Sequence, residues 1–306
     1  MIIEIESVTK DFGERRAVDD LSLRIPAGIC FGLLGPNGAG KTTSLRMIYG
    51  VTRPTSGTIR VFGLDITQNA RAVRARLGVT LQQNVFIDVL SPLENLRVFG
   101  RYHLLREPEL SQRAEELIDF LELRSHADVP VKLLSGGFQR RLAIALSLIN
   151  GPDLLILDEP TTGLDPAVRL ALWGRVRELR AAGTTILLTT HYMDEAERLC
   201  DRIAIMSNGR VIDEGSPTEL IGRNVSKLVV ELNASPSEER QLLDGVAVGR
   251  RLRVGSRMML YVDDPTPLVE RIGATDGARR GLVVRPSNLE DVFLALTGAT
   301  LEGQAG

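Results

Sequence analysis

The chain opens in a strand rhythm. Ile3, Ile5 and Val8 are apolar among polar neighbours, Leu21-Ser22-Leu23-Arg24-Ile25 alternates one for one, and Thr58-Ile59-Arg60-Val61-Phe62 does so again. Alternation of period two lays one apolar face of a strand against a core. Pro26-Ala27-Gly28 and Pro54-Thr55-Ser56-Gly57 punctuate these runs as turns. The unbroken apolar run Ile29-Cys30-Phe31-Gly32-Leu33-Leu34 predicts a fully buried strand, and Ser44-Leu45-Arg46-Met47-Ile48-Tyr49 predicts a helix after it. From about residue 84 to 150 the rhythm turns helical. Ser91-Pro92-Leu93-Glu94 combines an N-cap serine, a proline at the first helical position and a glutamate at the third, which is a helix start. Arg113 to Leu123 predicts a second amphipathic helix. Leu134-Ser135-Gly136-Gly137-Phe138-Gln139 opens a third, whose apolar body runs from Arg141 to Ile149. Then strand and helix alternate: strand 154–157, helix 167–182, strand 185–190, helix 193–200, strand 203–206. That order predicts a parallel sheet with crossover helices.

After about residue 222 the pattern changes. Strands are expected at Lys227–Leu232, Arg257–Val262 and Gly281–Arg285, with a short helix at Pro267–Ile272. Ser287-Asn288-Leu289-Glu290 has capping-box spacing and starts a last helix. The expectation is a main domain over 1–221, with a helical subdomain at about 84–150, and a small α/β accessory domain over 222–306. The accessory part carries no catalytic constellation, and the tail Leu301–Gly306 is expected to fray.

Composition narrows the partners. The 306 residues are 43% hydrophobic, enough for a substantial core. A net charge of −2 supplies no field that argues for nucleic acid or an anionic membrane surface. Cys30 and Cys200 both sit in apolar surroundings and read as reduced core thiols of a cytosolic protein. Met1-Ile2-Ile3-Glu4-Ile5-Glu6 lacks a basic start and a long apolar centre, so no secretory leader is expected. No apolar run approaches the roughly 20 residues that span a bilayer, so a membrane role would come through a partner.

The chemistry begins at Gly35-Pro36-Asn37-Gly38-Ala39-Gly40-Lys41-Thr42-Thr43, which fits the phosphate-binding pattern G-x-x-x-x-G-K-[ST] without a mismatch. Glycines let the backbone curl until its N–H groups point at phosphate oxygens, and the following helix dipole adds to that field. Lys41 would reach the β- and γ-phosphates, and the Thr42 hydroxyl would ligate Mg²⁺. A glycine-rich turn with a chance lysine is the bland alternative, and the strand–loop–helix context weighs against it. Kinases, GTPases and motors share this loop, so it names no function by itself.

Further words do. In Leu134-Ser135-Gly136-Gly137-Phe138-Gln139, in Leu154-Leu155-Ile156-Leu157-Asp158-Glu159-Pro160, in Gly163-Leu164-Asp165 and in Thr189-Thr190-His191 the chain resembles the ATP-binding-cassette (ABC) ATPases. Ser135 to Gln139 matches their signature motif, Asp158-Glu159 the end of their Walker B strand, Asp165 the D-loop and His191 the switch histidine. Gln82, in Leu77-Gly78-Val79-Thr80-Leu81-Gln82, matches the Q-loop. The motifs run in unbroken order over roughly residues 1–220. The fold implied is an α/β P-loop ATPase: a mixed sheet core, an antiparallel β subdomain and a helical subdomain, followed by the accessory domain.

The resemblance also implies roles. Gly35 to Thr43 would hold the phosphates of ATP, and Phe12, just ahead of the loop's strands, would stack on adenine for about 1–3 kcal/mol. Thr42, Gln82 and Asp158 would surround Mg²⁺, Asp158 through a water. Glu159 would polarise the attacking water and His191 would contact the γ-phosphate, with Gln82 and Asp165 completing the catalytic set. Ser135, Gly136, Gly137 and Gln139 would contact the ATP held by the other subunit, which implies a homodimer around two nucleotides. Phe86, Ile87 and Leu90, after Gln82, lie where such ATPases dock a permease. Leu96-Arg97-Val98-Phe99-Gly100-Arg101-Tyr102 and the stretch Ser287 to Gly298 are similar to exporters of the ABC-2 type, and within them to nodulation-type lipo-oligosaccharide and daunorubicin-type drug exporters. The implied place is the cytoplasmic face of the cell membrane, beside separate ABC-2 permease subunits.

Two rivals are weaker. A soluble ABC ATPase acting on ribosomes or nucleic acid would carry two cassettes or long coiled coils, and the stretch from Lys41 to Ser135 has no sustained heptads. A regulatory subunit with a degenerate site conflicts with intact Lys41, Asp158, Glu159 and His191.

Overall fold

The computed structural model describes residues 1–83, 85–235, 238, 239, 243, 248–273 and 281–298; the tail expected to fray lies outside them. The chain divides into two compact units, one running to Glu214 and one starting at Gly215.

The first unit carries two sheets. A four-stranded sheet is ordered β2-β1-β4-β5, from β1 (Ile3–Phe12), β2 (Arg15–Ile25), β4 (Ser56–Val61) and β5 (Leu64–Asp65). Its alternating apolar faces, Ile3, Ile5, Leu21, Leu23, Ile25, Ile59 and Val61 among them, are buried in one core with Leu45, Met47 and Ile48. The second sheet is six-stranded, ordered β10-β9-β3-β8-β7-β6. Its strands are β3 (Cys30–Leu34), β6 (Leu77–Thr80), β7 (Leu154–Asp158), β8 (Thr185–Thr189), β9 (Arg202–Ser207) and β10 (Arg210–Gly215). Every residue of β3, β7 and β8 is buried, as expected of strands covered on both faces. β3, β6, β7, β8 and β9 pair in parallel, and the register sets Asp158 opposite Thr189 and Thr189 opposite Leu33. The carboxyl ends of β3, β6, β7 and β8 therefore share one edge, where open α/β sheets bind ligands.

The helices are α1 (Lys41–Ile48), α2 (Ile66–Ala75), α3 (Pro92–Tyr102), α4 (Glu109–Phe120), α5 (Gly136–Leu148), α6 (Pro166–Ala181) and α7 (Met193–Leu199). The capping box of α3 forms as the sequence predicts, with Ser91 accepting from the Glu94 amide and Glu94 from the Ser91 amide. The second helix of this region starts earlier than its apolar periodicity suggests and stops before Glu122, whose φ of 55° ends the run. α2 escapes the sequence pattern because only Ile66 and Val73 are buried in it. α5 lies close on β6: a Cβ added at Gly78 would sit 1.9 Å from the Ser147 carbonyl oxygen, so only glycine admits this approach. Thr80 Oγ1 donates to Ser147 Oγ at 2.9 Å across the same contact.

The second unit begins with α8 (Pro217–Asn224), which contacts the helix Leu289–Thr297 and so joins this unit ahead of the change in pattern. Its antiparallel sheet is ordered β12-β13-β11-β14, from β11 (Leu228–Asn233), β12 (Arg250–Val254), β13 (Arg257–Val262) and β14 (Val283–Pro286). β12 was hidden in the sequence because Arg250, Arg251 and Arg253 break its apolar alternation. Val230, Leu232, Met258, Leu260 and Val262 bury one face with Leu268 and Ile272, and Val229, Met259 and Tyr261 bury the other. Asp291 is fully buried on the helix Leu289–Thr297. It accepts from Tyr261 Oη at 2.9 Å and from Arg285 Nη1 at 2.7 Å. Tyr261→Phe should therefore lower the stability of this unit by about 2 kcal/mol, the scale of a hydrogen bond to a charged group. Urea unfolding measures it, and an unchanged midpoint would contradict it.

Candidate nucleotide site

The loop after β3 turns on glycines and runs straight into α1, the geometry that an anion cradle of backbone amides needs. Gly38 and Gly40 have φ of 83° and 101°, in the region that favours glycine. At Gly40 there is a second reason, since a Cβ there would lie 2.6 Å from the Ala17 carbonyl oxygen. Gly40 caps α1 with no side-chain hydrogen bond, which leaves the first-turn amides without a side-chain partner. Lys41 is 7% exposed, and its Nζ donates to the carbonyls of Gly35 at 2.6 Å and Pro36 at 3.1 Å. Burial pushes its ammonium down, while Glu159 and Asp158 pull it back up.

A cleft of about 360 Å³ opens over this cradle. Phe12, Asn37 to Thr43, Gln82 and Glu159 all line it. Phe12 is 52% exposed, an apolar ring open to a flat ligand, with Lys10 Nζ 4.8 Å from its centroid. Arg15 and Ala17 also line the cleft. The sequence reading missed Arg15, which pairs with Phe12 across the turn between β1 and β2.

Asp158 and Glu159 are neighbours with different surroundings. Asp158 ends β7, is 7% exposed and accepts from Thr189 Oγ1 at 2.5 Å. Burial pushes its carboxyl up, and the Thr189 bond draws it down. Glu159 turns away because its φ is 48°, a left-handed conformation that costs a non-glycine residue about 1–3 kcal/mol. Its amide donates to the Thr189 carbonyl at 3.0 Å, and its Oε2 accepts from Gln82 Nε2 and from Thr162 Oγ1, each at 3.3 Å. His191 Nδ1 lies 3.4 Å from the same oxygen. The nearby His191 imidazole holds the Glu159 carboxyl below the usual range, against the effect of burial. An ionised carboxylate beside an amide and an imidazole can orient a water molecule and accept its proton.

Among the described residues no three His, Cys, Asp or Glu side chains gather as a metal cluster. Thr42, Gln82 and Asp158 instead offer a hydroxyl, an amide and a carboxylate, hard oxygen donors that suit Mg²⁺ shared with phosphate and water.

The signature residues stand apart. None of Ser135, Gly136, Gly137, Gln139 and Asp165 is among the described residues lining the cleft; Asp158 and His191 are not either, but they adjoin the lining residue Glu159 as its chain neighbour and at 3.4 Å, respectively. Ser135 caps α5 without a side-chain hydrogen bond, and Gly136 has open space where a side chain would be. Gln139 Nε2 donates to the carbonyls of Val131 at 3.3 Å and Leu134 at 3.2 Å, so this side chain supports the turn before the helix. Asp165 is exposed and stands at the N-cap position of α6 without a side-chain capping bond.

Residues 18–162 match the family model described as ABC transporter, and residues 238–298 match the nodulation factor export protein NodI C-terminal domain. The chain is 47% identical over 298 residues to the Nod factor export ATP-binding protein I of Cupriavidus metallidurans, covering 97% of each. The chain belongs to the Nod factor export ATP-binding protein I family of ABC transporter ATPases. The relative from Sinorhizobium fredii is 47% identical over 300 residues, 98% of this chain and 87% of that one. Among solved structures, an ATP-binding subunit of an ABC transporter is similar with a TM-score of 0.67 and 29% identity, over 73% of this chain and 93% of that one. A dimeric ATP-binding cassette bound to ADP and phosphate gives 0.65 and 28%, over 70% and 98%. As an ABC exporter ATPase the chain hydrolyses ATP, and subunits of this kind work as dimers with membrane permeases. Among its described residues no helix is long and apolar enough to cross a membrane.

Two more features of this ABC ATPase were not read from sequence. Arg140, 6% exposed, reaches from α5 to main-chain carbonyls beside Glu159 and Gln82. Glu195 on α7 is fully buried and accepts from Trp173 Nε1 at 2.8 Å, and burial pushes its carboxyl up. The expected docking segment also differs in detail. Phe86, Ile87 and Leu90 are half-buried, whereas Val85 and Val89 are 62% and 67% exposed. A groove of about 160 Å³ beside Gln82 is lined by Leu81, Gln83, Val85, Phe99, His103 and Leu146. The loop turns Val85 into that groove, and sequence alone does not set such a direction.

Proposed function

We propose that two copies of this chain close around two ATP molecules and drive a separate permease of the ABC-2 type that exports a lipo-oligosaccharide. The observation that carries this is the separation of the cleft from the signature: phosphate cradle, Gln82 and Glu159 meet in one place, and the open amino end of α5 lines none of it. Amides at a helix start suit an anion, and a second copy would bring them to the γ-phosphate. In this reading Lys41 and the loop amides bind the phosphates and Phe12 stacks on the base. Thr42, Gln82 and Asp158 would hold Mg²⁺, which would neutralise charge on the phosphates. Glu159 takes the proton of the attacking water, with His191 and Gln82 fixing its carboxylate. Closure with ATP and opening after hydrolysis would move the permease.

The relatives' name supplies the cargo class, and the length-wide identity of 47%, accessory unit included, supports carrying it over. The protein then works at the cytoplasmic face of the membrane, held there by the permease. The docking groove is the one beside Gln82. Val85→Asp puts a charge into a groove that Leu81, Phe99 and Leu146 also line, at a cost of about 2 kcal/mol or more on docking. Co-pelleting with vesicles that carry the permease should fall, and cargo efflux with it, while ATPase activity in solution stays. Normal recruitment of Val85→Asp would move the docking surface elsewhere. Equal binding of the wild-type protein to protein-free vesicles would end the partner-mediated reading.

A further inference from the structure

We infer that Arg140 is a positioning residue for hydrolysis, which holds from α5 the two backbone segments that present Glu159 and Gln82. The inference rests on the reading of Glu159 as the group that takes the proton of water.

The geometry is a clamp of carbonyls on one guanidinium. Nε of Arg140 donates to the Pro160 carbonyl at 2.8 Å, and Nη2 donates to those of Asp158 and Glu159, both at 2.9 Å. In an extended strand successive carbonyls point to opposite sides. The left-handed turn at Glu159 breaks that alternation and lets three consecutive carbonyls converge. Nη1 donates to the Leu81 carbonyl at 2.7 Å, one residue before Gln82. The side chains carried by these two segments meet at 3.3 Å, Gln82 Nε2 to Glu159 Oε2. One rigid planar fork therefore sets the spacing of both partners, and a lysine, with its donors on a single atom, cannot span the same carbonyls.

The clamp begins on the helix whose first residues are Gly136 and Gly137. Any displacement of α5 when its amino end engages phosphate passes through Arg140 to the carbonyl of Glu159. Arg140 itself lies outside the cleft lining, so its loss should spare nucleotide binding.

The test compares full-length Arg140→Lys, Arg140→Gln and Glu159→Gln, alone and combined. Both Arg140 variants are expected to lower kcat by about 10-fold or more, with Kd for ATP within about 3-fold of wild type. Because Arg140 acts through Glu159, adding either change to Glu159→Gln should lower the residual rate by less than about 2-fold. Thermal unfolding is followed in parallel. Retained kcat in both Arg140 variants, losses that multiply in the double variants, or proteins too unstable to purify would each overturn the inference. If Glu159→Gln itself keeps full activity, the reading of Glu159 fails, and that result is distinct from the Arg140 outcomes.

Discussion

Glu159→Gln should lower ATP turnover by about 100-fold or more, the scale of a lost base that positions water. Size and hydrogen-bonding capacity are nearly kept, so the bonds among Gln82, Thr162 and residue 159 can persist in altered form. What disappears is the carboxylate that His191 keeps ionised below the usual range. The phosphate cradle is untouched, and ATP should bind with near wild-type affinity. A dimer closed by ATP and unable to hydrolyse it should then persist, and sedimentation with ATP and Mg²⁺ should show a species of twice the mass. A strictly monomeric variant at saturating ATP would count against the two-copy sandwich. Residual turnover close to wild type would remove Glu159 from the chemistry.

Lys41→Ala should weaken ATP binding by about 10- to 100-fold, the worth of a charge-assisted contact to phosphate. Nζ donates to the Gly35 and Pro36 carbonyls, so the ammonium is already held across the loop. Binding would exchange these neutral acceptors for anionic ones. Unchanged affinity and turnover would sink the phosphate-loop assignment. The same variant tests the sharing of sites. Ser135→Arg blocks the amino end of α5, and each variant alone should be inactive. Mixed, they form heterodimers in which one site carries both lesions and the other neither. Recovered ATPase activity in the mixture is the expected result if α5 acts across the interface. If each chain used its own signature, both sites would stay broken.

Local chemistry was legible in the sequence by itself. The glycine turn before α1 could be read because its pattern closes within nine residues, Gly35 to Thr43, and the left-handed backbone at Gly38 and Gly40 is local to it. The start of α3 could be read for the same reason, since Ser91 and Glu94 cap each other across one turn. The buried strands β3, β7 and β8 announced themselves as apolar runs, and their alternation with helices implied the parallel sheet. Tertiary structure decided what depends on direction and on distant partners. The left-handed turn at Glu159 is held by Thr189, thirty residues on, and by Arg140, nineteen residues before. Arg140 reads in sequence as one more basic residue on a helix, and only the fold brings it to carbonyls fifty-nine residues away at Leu81. Val85 lines the groove while Phe86 is half-buried, a choice made by a loop with no periodicity to reveal it. A pattern records which residues want burial and which neighbours can bond; it carries no term for where a carbonyl points once the strands have met.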